Sequence, residues 1–61
     1  MDRLEWALDK LKPEYKKVVM LKMLEGLSHA EIAERLGKDE GATRTMLVRA
    51  LAALTIAYGK D

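Results

Sequence analysis

Few side chains in this 61-residue chain could do chemistry, and those that could are binding groups rather than bond-breaking ones. Arg44, Thr45 and Arg49 fall close together, with Lys38 and Glu40 just ahead of them and Val48 between. An arginine guanidinium is planar and permanently charged, and it forks onto a guanine edge or a phosphate. A threonine offers a hydroxyl to a phosphate and a methyl to thymine. Lys16 and Lys17 make a second basic pair, read first as a solvated face and second as a phosphate contact. No nucleophile, base and orienter can be assembled and no glycine-rich phosphate loop occurs, so the chain is expected not to be an enzyme. Cysteine is absent and the single histidine, His29, has no cluster of partners at metal-ligand spacing. No metal, cofactor or small-molecule substrate is therefore expected.

Four helices must position these groups. The first is expected over 2–11, where Leu4, Ala7, Leu8 and Leu11 recur at helical spacing behind Asp2 as a start signal. Pro13 suits the first position of a second helix over 13–25, and Lys12 before it is biased out of helical geometry. In that helix Val18, Leu21 and Leu24 form a stripe, widened by Tyr15, Val19 and Met23, and Gly26 supplies a left-handed cap. A third helix over 28–36 opens with Ser28 and Glu31 spaced as a capping box, turns Ile32, Ala33 and Leu36 inward, and closes at Gly37. The fourth, over 39–58, starts at Asp39 as N-cap, with Glu40 complementing the helix dipole. Its buried stripe is expected to be Leu47, Ala50, Leu51, Leu54 and Tyr58, with Met46 and Ile56 as further packing residues. Gly59 stops it, and Lys60 and Asp61 are expected to fray. Trp6 and Tyr15 are core or interface aromatics.

Composition sets the limits. A chain this short makes one domain with a thin core, burying only about 60% of its unfolded surface. Leu, Ala, Met, Glu, Lys and Arg favour helix, while Phe is absent and β-branched residues are few. Acidic residues early in the chain interrupt any signal peptide. The longest uncharged stretch, 50–59, is far below the roughly 20 residues that cross a bilayer. Absence of cysteine fits a reducing cytoplasm. The net charge of +1 is not that of a strong non-specific nucleic-acid binder, so any DNA binding must be local and modest.

The informative unit runs over 28–51. A helix that ends at Gly37, followed almost at once by one that starts at Asp39, forces a steep crossing, the geometry of a helix-turn-helix. Such a corner projects the next helix outward, where it can enter a major groove. Leu24, Glu25, Gly26, Leu27 and Ser28, followed by Ala30, Glu31, Ile32, Ala33, Glu34, Arg35, Leu36 and Gly37, resemble region 4 of the sigma-70 family, in its small extracytoplasmic-function type. The likeness continues upstream through Leu11, Pro13, Glu14, Tyr15, Lys16, Val18, Val19, Met20 and Leu21, and downstream through Glu40, Gly41, Arg44, Thr45, Leu47, Arg49, Ala50 and Leu51. It covers roughly 4–56.

The resemblance implies an all-α, four-helix domain of the winged-helix-like superfamily without a wing. It implies binding of the minus-35 promoter element, as the C-terminal domain of a bacterial sigma factor. The implied partners are double-stranded promoter DNA, the β flap of the RNA polymerase core, and an anti-sigma factor. By position, the DNA contacts carry over to Glu40, Arg44, Thr45, Val48 and Arg49, with Lys38 at the helix entrance as a further phosphate contact. Positions 41, 44, 45, 48 and 52 lie opposite the stripe from Leu47 to Leu54, which agrees. Lys38 and Thr43 stand where the family usually has apolar residues, Met46 where it often has a basic one, and Val48 where many members have an aromatic or His. Two other assignments stay open: a protein-interaction module on the same fold, for which Val48 and Ile56 are suited, and a response-regulator effector domain that dimerises through its last helix. The chain is expected to be a piece of a longer protein, with a free-standing small regulator as the alternative.

Overall fold

Helix starts fall where the capping chemistry puts them. In a computed structural model that describes residues 2–59, Asp2 caps α1 (Arg3–Asp9) by accepting the Glu5 N–H at 2.9 Å. Pro13 opens α2 (Pro13–Met23) without any side-chain cap, its missing N–H being one that a first turn leaves unpaired. The capping box before α3 (His29–Leu36) is complete: Ser28 Oγ accepts the Glu31 N–H at 3.1 Å, and the Glu31 carboxylate accepts the Ser28 N–H at 2.8 Å. The Ser28 backbone N–H donating to that carboxylate, and after it the Ser28 side chain, hold the Glu31 carboxyl below its ordinary pKa, with desolvation opposing and Arg35 adding in the same direction. α4 (Glu40–Gly59) follows, and no strand occurs among the described residues. The expected fraying of Lys60 and Asp61 lies outside the described residues.

α1 and α2 are each two residues shorter at the C-terminal end than the sequence suggests. The Lys10 and Leu11 N–H groups reach back to the Ala7 and Leu8 carbonyls, a tightened last turn that frees Lys12 to become extended ahead of Pro13. After Met23, the Leu24 and Glu25 N–H groups share the Met20 carbonyl, and Gly26 turns left-handed at φ 67°. Leu24 therefore leaves the stripe assigned to it and is 67% exposed, with Met23 beside it on the surface.

Three of the helices converge on α4. Val18, Val19, Ile32 and Ala50 are wholly or almost wholly buried, and Ala7, Leu8, Leu21, Leu47 and Leu54 complete the core. Fully burying one such aliphatic side chain contributes about 1.5–3 kcal/mol, so this short list carries most of the stability. The buried side of α4 is Thr43, Leu47, Ala50 and Leu54, and partial burial extends to Met46 and Ala57. Leu51, Tyr58 and Ile56 do not join it. Leu51 is 38% exposed, Tyr58 45% and Ile56 68%. Tyr58 instead meets α1 from outside: the Arg3 Nε–H donates to its carbonyl at 2.7 Å, and the guanidinium lies 5.5 Å from its ring centre. Exposed ion pairs, Lys16 with Asp9 and Arg35 with Glu25, add little in water.

Candidate nucleic-acid interface

Everything about the exposed face of α4 follows from the turn that precedes it. At Gly37 the backbone enters the left-handed region, φ 68° and ψ 32°. The Lys38 N–H then bonds to the Ala33 carbonyl at 3.0 Å and the Gly37 N–H to the Glu34 carbonyl at 3.3 Å, the paired pattern of a Schellman cap. One residue later the Asp39 carboxylate accepts the Ala42 N–H at 2.7 Å and starts the next helix. Two caps thus share a three-residue corner, and the chain has no slack with which to vary the direction of α4.

Thr43 fixes the roll of that helix. It is fully buried, and both its N–H, at 3.0 Å, and its hydroxyl, at 2.9 Å, donate to the Asp39 carbonyl. With Thr43 turned inward, Glu40, Gly41, Arg44, Thr45, Val48 and Ala52 must face outward. The structure places Lys38, Glu40, Arg44, Thr45, Val48 and Arg49 all on the surface, and Val48 is 62% exposed. An Arg44 guanidinium nitrogen lies 3.5 Å from a Glu40 carboxylate oxygen, one turn apart and both open to water. Thr45 and Arg49 sit at one edge of the array, lining a shallow cleft with Glu14 and Tyr15 of α2. Such a surface can donate to phosphates and to base acceptors, and can accept from base amino groups. His29 stands apart from it, and the described residues contain no cluster of His, Cys, Asp and Glu able to hold a metal ion.

Sequence reasoning passed over two features. Thr43 looked like a departure from an apolar position, yet its hydroxyl is spent internally and the residue packs as an apolar one would. Its spacing of four from Leu47 and seven from Ala50 was the available signal. The second feature is an open groove at the far end of α4, lined by Trp6, Lys10, Leu11, Tyr15, Ala53 and Ile56. Its signal was the uncharged run over 50–59, too apolar on every side for a helix covered on only one. No helix among the described residues is long and apolar enough to cross a membrane.

The family model described as Sigma-70, region 4 matches residues 1–54. Among curated proteins, the ECF RNA polymerase sigma factor BldN of Streptomyces coelicolor is 44% identical over 48 residues, which is 79% of this chain and 18% of that protein. RNA polymerase sigma factor SigV of Bacillus subtilis is 38% identical over 55 residues, 90% of this chain and 33% of its own length. The chain thus spans a third or less of the relatives it matches. No solved structure matches it significantly. With a doubly capped corner, an outward-facing second helix and a family match over nearly the whole sequence, the chain belongs to the sigma-70 region 4 family.

Proposed function

We propose that this domain binds promoter DNA at the minus-35 element, as region 4 of a bacterial RNA polymerase sigma factor in transcription initiation. The observation that carries the proposal is the exposed array Lys38, Arg44, Thr45, Val48 and Arg49 on the leading half of a helix whose direction two caps fix. In a major groove Arg44 takes a guanine edge, Thr45 meets a thymine methyl or a phosphate, Val48 meets a thymine methyl, and Lys38 and Arg49 hold the backbone. Three phosphate-capable cations set a shallow salt dependence, with a log–log slope no steeper than about −2.7. Titration of the chain against duplexes selected from a randomised pool, and against scrambled versions, tests this. Arg44→Ala should abolish the preference for the selected duplex; unchanged binding by that variant would refute the assigned face.

A second surface is favoured by a specific observation. The groove at the other end of α4 leaves Trp6 37% exposed and Ile56 largely so, with Lys10 5.1 Å from the Trp6 ring centre. We propose that this end docks the domain on protein, the RNA polymerase core first and an anti-sigma factor second. Ile56→Glu should weaken capture by polymerase while leaving DNA selection intact.

A further inference from the structure

A carboxylate at the tip of a helix that enters DNA is a liability, because phosphates repel it. Glu40 stands at that tip, exposed, in the first turn of α4. It does not cap the helix, because Asp39 already accepts the Ala42 N–H. Among the described residues its one polar side-chain contact is with Arg44, at 3.5 Å. Around the pair the surface is bare: Gly41 has no side chain, Ala42 has a methyl, and Thr43 is buried. On the leading turns of the helix itself, Glu40, Arg44 and Thr45 are thus the exposed side chains with polar chemistry. One acceptor and one forked donor lie within contact distance of each other.

Base chemistry gives that pair a matching ligand. In the major groove guanine shows two acceptors, N7 and O6, and its paired cytosine shows one donor, the N4 amino group. Arginine is the fork for the first and glutamate the acceptor for the second. The two base edges lie side by side in one base pair, and successive pairs along a strand are about 3.4 Å apart, so the spacing of Glu40 and Arg44 spans one pair or two neighbours.

We infer that Glu40 is a specificity-determining residue that works as a unit with Arg44: the guanidinium takes a guanine while the carboxylate takes a cytosine amino group in the same or the adjacent base pair. The inference rests on the proposed DNA-binding function and names the part of the DNA site this pair selects. The carboxylate also acts by rejection. Arg44 alone would settle on any guanine or phosphate, whereas a carboxylate beside it meets an acceptor at thymine O4 and is repelled. Affinity is given up for selectivity, which suits a chain of net charge +1.

The test is selection of duplexes from a pool randomised over ten base pairs or so, by the unaltered chain and by Glu40→Gln, Arg44→Ala and the double variant. Circular dichroism confirms that each remains helical. The unaltered chain should enrich one fixed G·C pair where both groups read a single pair, or that pair and a second cytosine next to it where the adjacent pair supplies the amino group. Glu40→Gln should bind unselected duplex several-fold more tightly and lose roughly tenfold of the discrimination at the cytosine. In the Arg44→Ala background, Glu40→Gln should change that discrimination far less. If the unaltered chain retains no duplex even at low salt, the DNA-binding function fails and the inference with it. If it enriches duplexes and Glu40→Gln enriches the same ones with equal discrimination, only the role of Glu40 is overturned.

Discussion

Replacing Gly37 with alanine isolates the corner on which the exposed face depends. Gly37 sits at φ 68°, and a Cβ added there meets nothing within 4 Å, so the substitution introduces no clash. Only the backbone term remains. Holding a residue with a Cβ in the left-handed region costs roughly 1–2 kcal/mol. Alanine also removes freedom from the unfolded chain, which returns about 0.4–1 kcal/mol. The net effect is a destabilisation of about 1 kcal/mol. At 0.05–0.15 kcal/mol per residue a domain of this size has roughly 3–9 kcal/mol in total, and its midpoint moves by about 4–8 °C per kcal/mol. Thermal unfolding followed by far-ultraviolet circular dichroism should therefore show Gly37→Ala melting several degrees lower. Gly37→Asn, which tolerates this conformation, should recover most of the loss. Below its midpoint the alanine variant should select the same duplexes as the unaltered chain. If Gly37→Ala is as stable as glycine, the corner does not require a left-handed residue and the two-cap account of α4 is wrong.

Other perturbations follow from the same structure. Ile32→Ala empties the centre of the core, where the residue is fully buried, and should cost about 2–5 kcal/mol, enough to leave much of the chain unfolded at 37 °C by urea titration. Ser28→Ala removes half of the capping box and should cost about 1 kcal/mol, read as a lower urea midpoint at unchanged slope. Because Ser28 holds the Glu31 carboxyl below its ordinary pKa, the ionised group stabilises the fold above about pH 4.3, and that contribution is lost as pH falls through the depressed value. Urea midpoints of the unaltered chain and Glu31→Gln should accordingly differ most above about pH 4.3 and draw together as pH falls below it; an unchanged difference would contradict the assignment. Thr43→Val should be tolerated within about 1 kcal/mol, since the Asp39 carbonyl keeps its backbone donor, whereas Thr43→Lys should unfold the domain.

How much of this was legible depended on whether a local rule or a packing partner decided the outcome. Asp2, Ser28, Glu31, Gly37 and Asp39 act through hydrogen bonds to backbone a few residues away, and sequence spacing specifies those bonds completely. Helix starts and the helix-turn-helix corner were therefore readable. Leu24, Leu51, Ile56 and Tyr58 are different. Each carries an apolar side chain near the correct angle on its helix, and only the position of neighbouring helices settles whether it is covered. On α4 the buried side runs through Thr43, Leu47, Ala50 and Leu54, with Met46 and Ala57 partly buried beside it, and Leu51 and Tyr58 fall at its margin, 38% and 45% exposed. The exposed array was legible for the complementary reason. Once one residue on α4 is known to face inward, the periodicity places the others, and Leu47 was enough. The contact between Glu40 and Arg44 was also within reach, as an acidic residue four positions ahead of a basic one on a helix. The groove of Trp6 and Ile56 was legible only on its α4 side, from the uncharged run over 50–59, because it joins residues from both ends of the chain.

On the proposed function, the two surfaces explain each other's weakness. α4 is a single helix of 20 residues, about 30 Å long, and it carries the base-reading array on its leading turns and the groove on its trailing ones. Three cations and one carboxylate on the array cannot hold DNA tightly at physiological salt. Tight binding by the module alone would in fact be a defect, since it would occupy sites that share a base step or two with the target. A domain already seated through its other end meets nearby DNA at an effective concentration far above that of a free domain, so a modest array suffices when tethered and releases when not. That arrangement works only if the helix joining the two surfaces is stiff and correctly rolled. The internal bonds of Thr43 and the caps at Gly37 and Asp39 set that roll and direction, which assigns the most consequential residues of the site to positions that touch neither partner.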